Sequence, residues 1–150
     1  YVERTMFYLK DYLKVPDTNT EFAAKKAYKA AFPLNFKEAV EMLKKQSRTQ
    51  KGESTNEAIA EYMHMAPRTF TDALSNPAVH MNPDFVLALC LYFKLPDWLS
   101  SLLFRRAGAM LDEDNPRHAA FLHILRAQSC DGIEAADEYL KSQGLDPLNW

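Results

Sequence analysis

The sequence predicts an all-α protein, and three observations lead to that fold class. Apolar residues recur at helical spacing along most of its 150 residues. Asparagine caps a helix and proline fits its first turn, and this pair occurs at Asn82-Pro83 and again at Asn115-Pro116. No two segments show the alternating pattern of paired strands. We therefore expect helices throughout and no internal repeat.

The first third of the chain predicts two helices, preceded by a segment with two alternative assignments. Residues 1–14 fit a helix, with an edge strand as the alternative. Thr18 and Glu21 have the spacing of a capping box, which predicts a helix that ends before Pro33. A further helix is expected from about Asn35 to Gln46. Its inward residues would be Phe36, Ala39, Val40 and Leu43.

The second half of the chain predicts four further helices. Three of them each carry one apolar stripe. The first stripe consists of Phe85, Val86, Leu89, Cys90 and Phe93, and the second of Trp98, Leu99, Leu102 and Leu103. The third consists of Phe121, Leu122, Ile124 and Leu125. The last helix should run from about Ile133 to Ser142, because Gly144 suits the position just after a helix end.

Composition indicates a soluble, cytoplasmic protein without catalytic machinery. No apolar run approaches the roughly 20 residues of a membrane span, so no membrane partner is expected. Cys90 and Cys130 lie in apolar helical surroundings and are interpreted as core residues in a reducing compartment. The histidines lack metal-ligand spacing, and no phosphate loop or nucleophile motif is present. We therefore predict no enzyme activity, no metal and no cofactor.

The net charge of −2 is unevenly distributed along the chain. Residues 1–50 carry ten basic and six acidic side chains, whereas each of the following two thirds has a net charge of −3. Any electrostatic attraction to nucleic acid must therefore come mainly from the first third.

Residues 54–75 predict two short helices joined by a tight turn. The first, from about Asn56 to Met63, would bury Ile59, Ala60 and Met63. The second would run from about Ala66 to Ser75. At 100° per residue, its outward face would carry Arg68, Thr71, Asp72 and Ser75, and its inward face Ala66, Phe70, Ala73 and Leu74.

This stretch resembles the helix-turn-helix of lambda-repressor-like (XRE-type) transcriptional regulators. The resemblance rests on Asn56-Glu57-x-Ile59-Ala60, on Met63-x-Met65 around the turn, and on Thr69-Phe70-Thr71. His64 stands where the family has a turn glycine, and histidine tolerates a left-handed backbone better than most residues. The resemblance covers about residues 35–104. It implies a helix-turn-helix domain there, with helical extensions over residues 1–34 and 105–150.

The resemblance also implies which side chains meet DNA. Asn56 occupies a position that touches a phosphate, and Thr69 and Thr71 lie near the DNA backbone. Pro67, Arg68 and Asp72 occupy positions that read base edges. Arg68 is the principal candidate, because its guanidinium can donate two hydrogen bonds to guanine. Ser75 completes the outward face of the second helix.

Basic side chains outside the motif are candidates for phosphate contacts. Lys44, Lys45 and Arg48 trail from the preceding helix, and Lys25, Lys26 and Lys29 form a second basic face. In both groups the alternative is an ordinary solvated surface.

The function predicted from these observations is sequence-specific binding of double-stranded DNA by a transcriptional regulator. A homodimer is expected, because the helices from Trp98 onward carry more apolar surface than one small domain needs. The alternative is a helix-turn-helix that serves as a protein-interaction adaptor or regulatory subunit with a protein partner, which the acidic balance of the chain favours.

Overall fold

A computed structural model describes residues 20–46, 48–49, 52–53, 55–75, 81–127 and 132–150 of the chain. The predictions for residues 1–14 and for Thr18 lie outside these ranges, as does that for Cys130. The described helices are α1 (Thr20–Ala31), α2 (Phe36–Gln46), α3 (Asn56–Tyr62), α4 (Pro67–Ser75), α5 (Pro83–Phe93), α6 (Asp97–Arg106), α7 (Pro116–Ala127) and α8 (Ile133–Ser142). The described part of the chain is therefore helical, as predicted, apart from one short strand pair.

That strand pair corrects the expectation of an entirely helical chain. Strand β1 (Arg48–Thr49) pairs antiparallel with β2 (Gly52–Glu53), with Arg48 opposite Glu53. Two residues per strand are too few to show an alternating pattern, so the strand pair could not be predicted from the sequence. β2 packs against α2, and the strand pair connects α2 to the start of α3.

The predicted helix starts are confirmed at their caps. The Asn82 side chain accepts a hydrogen bond from the Asp84 amide at 3.0 Å, and Asn115 accepts from the Arg117 amide at 2.9 Å. Asn35 does the same for α2, accepting from the Glu38 amide at 3.1 Å. Each bond satisfies an amide that the first turn of a helix leaves without a partner.

The end of α8 is also where the sequence places it. Gly144 has a φ of 73° and directs the chain out of the helix. The Leu145 amide donates to the Leu140 carbonyl at 2.9 Å, and the Gly144 amide donates to Lys141 at 3.0 Å. This pair of bonds is the Schellman arrangement, which requires a left-handed residue and so favours glycine.

Helix α5 forms the centre of the core. Every residue from Asp84 to Leu91 is buried, so the helix is covered on all sides rather than along one stripe. It packs against α3 and α6, and α6 contacts α2 and α7. Cys90 lies in this core, where burial raises the pKa of its thiol to about 12, in agreement with its predicted role as a core residue.

Helix α1 contacts the start of the apolar stripe, at Trp98. Tyr28 is fully buried, and its ring meets the Trp98 ring edge-on at a centroid distance of 5.9 Å. Leu99, Leu102 and Leu103 are buried within the single chain. The leucines assigned to a self-interface are thus part of the intramolecular core, in a helix that packs against α2, α5 and α7.

The chain end crosses α5, α7 and α8 as a strap, residues 145–150. Arg117 on α7 donates to Asp84 Oδ2 at 2.6 Å and to the carbonyls of Asp146 and Pro147 at 2.6 and 3.1 Å. The Asn149 amide donates to the same Asp84 oxygen at 3.0 Å. The ion pair and the strap therefore join the C-terminal helices to the first turn of α5.

Among the described residues, no helix combines the length and apolar character that crossing a bilayer requires. The same residues contain no cluster of three or more histidine, cysteine or acidic side chains suited to a metal ion.

Candidate nucleic-acid interface

Helices α3 and α4 form the two-helix unit predicted from residues 54–75. Thr55 caps α3 by accepting a hydrogen bond from the Ala58 amide at 3.1 Å. At the other end His64 has a φ of 56°, and the Met65 amide donates to the Ala60 carbonyl at 2.9 Å. His64 thus adopts the left-handed conformation, which histidine tolerates better than most residues. It turns the chain so that α4 begins three residues later, at Pro67.

The inward faces of the two helices meet as predicted. Ile59, Ala60 and Met63 on α3 are fully buried, and Phe70 and Leu74 on α4 are 0% and 1% exposed. The Phe70 ring lies 5.9 Å from that of Phe85, so α4 is also fixed against the central helix. Ala66 is exposed, contrary to its predicted inward position, because the helix begins one residue after it.

The outward face of α4 presents six predicted site residues together. Pro67, Arg68, Thr69, Thr71, Asp72 and Ser75 are all exposed. The Arg68 side chain is 91% exposed and its Nε lies 4.0 Å from Asp72 Oδ2. An ion pair this exposed contributes about 0–1 kcal/mol, so Arg68 can leave Asp72 for a better acceptor. The Thr71 hydroxyl donates to the Pro67 carbonyl at 3.0 Å.

Asn56, the predicted phosphate contact on α3, is half-buried at the first residue of that helix. Its Oδ1 is buried and has no hydrogen-bond partner within the described ranges. The Asn56 side chain is therefore less accessible than the predicted site residues on α4.

The three basic residues predicted to follow α2 differ in their surroundings. Lys44 is only 14% exposed, and its Nζ lies 3.2 Å from both carboxylate oxygens of Glu41. Lys45 is exposed. Arg48 belongs to β1, and its side chain is outside the description. Lys45 is therefore better placed than Lys44 for a phosphate contact. The spacing in the sequence did not indicate this difference, because Glu41 is also four residues before Lys45.

One arrangement was not predicted at all. Lys25 and Lys29 on α1 place their ammonium groups 5.7 and 5.8 Å from the centroid of the Trp98 ring on α6. The sequence marked these lysines as a basic face, but nothing in their local spacing indicated an indole about seventy residues away.

Comparisons of the chain with models of known protein families, with curated proteins and with solved structures find no match.

Proposed function

We propose that the chain is a sequence-specific DNA-binding transcriptional regulator whose helix α4 lies in the major groove, acting as a homodimer. The observation that carries this proposal is the outward face of α4. A short helix held firmly at Phe70 and Leu74 presents an unbroken row of exposed polar side chains on its other side. The major groove is wide enough for such a helix, and its base edges are read by polar side chains.

Arg68 is assigned to base reading. It lies in the first turn of α4, and helices of this kind contact base edges with their N-terminal residues. Its exposed guanidinium can donate two hydrogen bonds to O6 and N7 of guanine. Asp72, one turn later on the same face, can accept a hydrogen bond from N4 of cytosine.

Phosphate contacts are assigned to Lys45 and, at the motif itself, to Asn56 and Thr69. Such contacts fix the position of a protein on the duplex and carry no sequence information. Lys45 is the one for which a charge effect is expected, because it is exposed and belongs to the last turn of α2.

The test is fluorescence anisotropy on a site selected from random duplexes and on its scrambled form, at several salt concentrations. Arg68→Ala should weaken binding to the selected site by about 1–3 kcal/mol and flatten the preference at one base pair. Lys45→Gln should weaken binding to both duplexes about equally and lower the slope of log affinity against log salt by about one. Lys141→Gln, an exposed lysine on α8, is the matched control and should leave the slope unchanged.

The homodimer is tested by light scattering at tens of micromolar, with and without DNA. Similar helix-turn-helix units act as pairs on half-sites about 34 Å apart, because one unit covers too few base pairs. A strict monomer under both conditions would remove this part of the proposal and leave the DNA contacts to be judged by anisotropy.

The second candidate is a protein-interaction adaptor or regulatory subunit. The charge of the motif favours it, because Glu57, Glu61 and Asp72 are exposed on α3 and α4 whereas Arg68 is the one basic residue of these two helices. Acidic side chains near phosphates oppose binding. If wild type, Arg68→Ala and Lys45→Gln all bind both duplexes with the same weak affinity, DNA reading is refuted and the adaptor takes its place.

A further inference from the structure

Charged side chains are unevenly divided among the described helices. Helices α1, α2 and α6 carry eight basic and four acidic residues, whereas the other five carry four basic and seven acidic residues. Helix α2 packs against α6, and α1 meets both through Tyr28, which contacts Trp98 and donates to Gln46. The basic residues therefore belong to one packed group of helices, which attracts an anionic surface.

The basic face of α1 consists of Lys25, Lys26 and Lys29. At 100° per residue these three lie within about 100° of the helix circumference. Lys26 and Lys29 are exposed. The ammonium groups of Lys25 and Lys29 are held beside the Trp98 ring, whose π face attracts cations. The indole thus keeps positive charge in a defined place between α1 and α6.

Helix α1 is connected to the start of α3 through the end of α2. Tyr28, on the same helix, donates its hydroxyl proton to Gln46, the last residue of α2. Gln46 and Thr55 are each two residues from the Arg48–Glu53 strand pair. The chain spans at most about 3.6 Å per residue, and paired residues lie about 5.5 Å apart across the strands. The Cα atoms of Gln46 and of Thr55, which caps α3, are therefore within roughly 20 Å of each other. The end of α2 that Tyr28 contacts is therefore closer to the cap of α3 than the length of one turn of duplex DNA, about 34 Å.

We propose that Lys26 and Lys29 bind phosphates of duplex DNA that flank the base pairs read by α4. This inference rests on the proposed function, since it needs the motif to set the duplex in place. The motif itself has little positive charge, so a flanking contact supplies electrostatic attraction that the recognition helix lacks. The contact adds affinity without sequence preference, because phosphates are the same at every base pair.

The experiment compares two duplexes for wild type and for Lys26→Gln/Lys29→Gln. The shorter is the minimal duplex that keeps the full Arg68-dependent preference, and the longer adds one helical turn, about 10 base pairs, at each end. Arg126→Gln/Lys141→Gln is the control, because it removes two exposed positive charges from α7 and α8. The Lys26→Gln/Lys29→Gln variant, called the α1 variant, should have a lower slope of log affinity against log salt on the longer duplex, by about two per chain relative to wild type. On the shorter duplex its slope should be nearly that of wild type. Lys26→Gln alone should lower the slope on the longer duplex by about one.

Each result decides the matter. Equal salt slopes for wild type and the α1 variant on the longer duplex would overturn the flanking contact. An equal reduction of the salt slope in the control variant would also overturn it. In either case the proposed function stands as long as the Arg68-dependent specificity is observed. A variant that changes the oligomeric state in light scattering, with the slope unchanged, would overturn it in favour of a self-interface. Loss of salt-dependent binding in wild type itself would refute the proposed function and this inference with it. Circular dichroism melts establish that both variants are folded, and the single variant repeats the test should the double variant be unfolded.

Discussion

Replacement of Arg117 by alanine should destabilise the protein through the carboxylate that it leaves behind. Arg117 and Asp84 are 25% and 10% exposed, and their closest nitrogen and oxygen lie 2.6 Å apart. Breaking a buried pair by removing one partner costs about 3–5 kcal/mol, because the remaining charge is desolvated without compensation.

Three features of the structure reduce that figure. The guanidinium is one quarter exposed, and the Asp84 carboxylate keeps its hydrogen bond from the Asn149 amide. The carbonyls of Asp146 and Pro147 lie in exposed residues, where water can replace the lost donor. We therefore expect Arg117→Ala to lower the free energy of unfolding by about 2–4 kcal/mol.

The assay is urea unfolding followed by circular dichroism. Arg126→Ala is the matched control, because Arg126 is also on α7 but is 60% exposed and 3.9 Å from an exposed Glu113. It should change the free energy of unfolding by less than about 0.5 kcal/mol. The double variant Asp84→Ala/Arg117→Ala should lose about 1–3 kcal/mol less than the sum of the two single variants, since removing both partners leaves no unpaired charge. Equal unfolding midpoints for Arg117→Ala and Arg126→Ala would refute the argument that the strap is held by a buried ion pair.

Two further predictions concern the α3–α4 unit. Phe70→Ala should lower the free energy of unfolding by about 3–5 kcal/mol, because Phe70 is fully buried against Phe85. Arg68→Ala should change it by less than about 0.5 kcal/mol, and denaturant melts with the opposite order would show that the assigned faces of α4 are wrong. His64→Gly should raise the thermal midpoint, with a gain in stability of about 0.5–1 kcal/mol, because glycine takes a φ of 56° without strain. The matched substitution His64→Val should lower the midpoint, and a lower midpoint for the glycine variant would contradict the assigned turn geometry.

Much of the helical framework could be predicted because its signals are local. The caps at Asn82 and Asn115 act on amides two or three residues away, and Gly144 ends α8 through bonds to the turn just before it. The inward position of Phe70 and the outward position of Arg68 follow from the helical repeat alone. These features depend on residues within one or two turns, so the sequence contains them directly.

Long-range contacts decided the rest. The leucines after Trp98 have the pattern of a surface for a second copy, but they are buried where α6 packs against α2, α5 and α7. Asp84 and Arg117 are thirty-three residues apart, and neither has a spacing that marks it as a partner of the other.

The sequence by itself determined the helical class, most helix boundaries and the two faces of the α3–α4 unit. The tertiary structure alone decided that α5 is buried on all sides, that Lys25 and Lys29 share the Trp98 ring, and that the chain end is held at Arg117. The physical reason is that capping and helical periodicity act within a few residues, whereas burial and ion pairing depend on which distant segments the fold brings into contact.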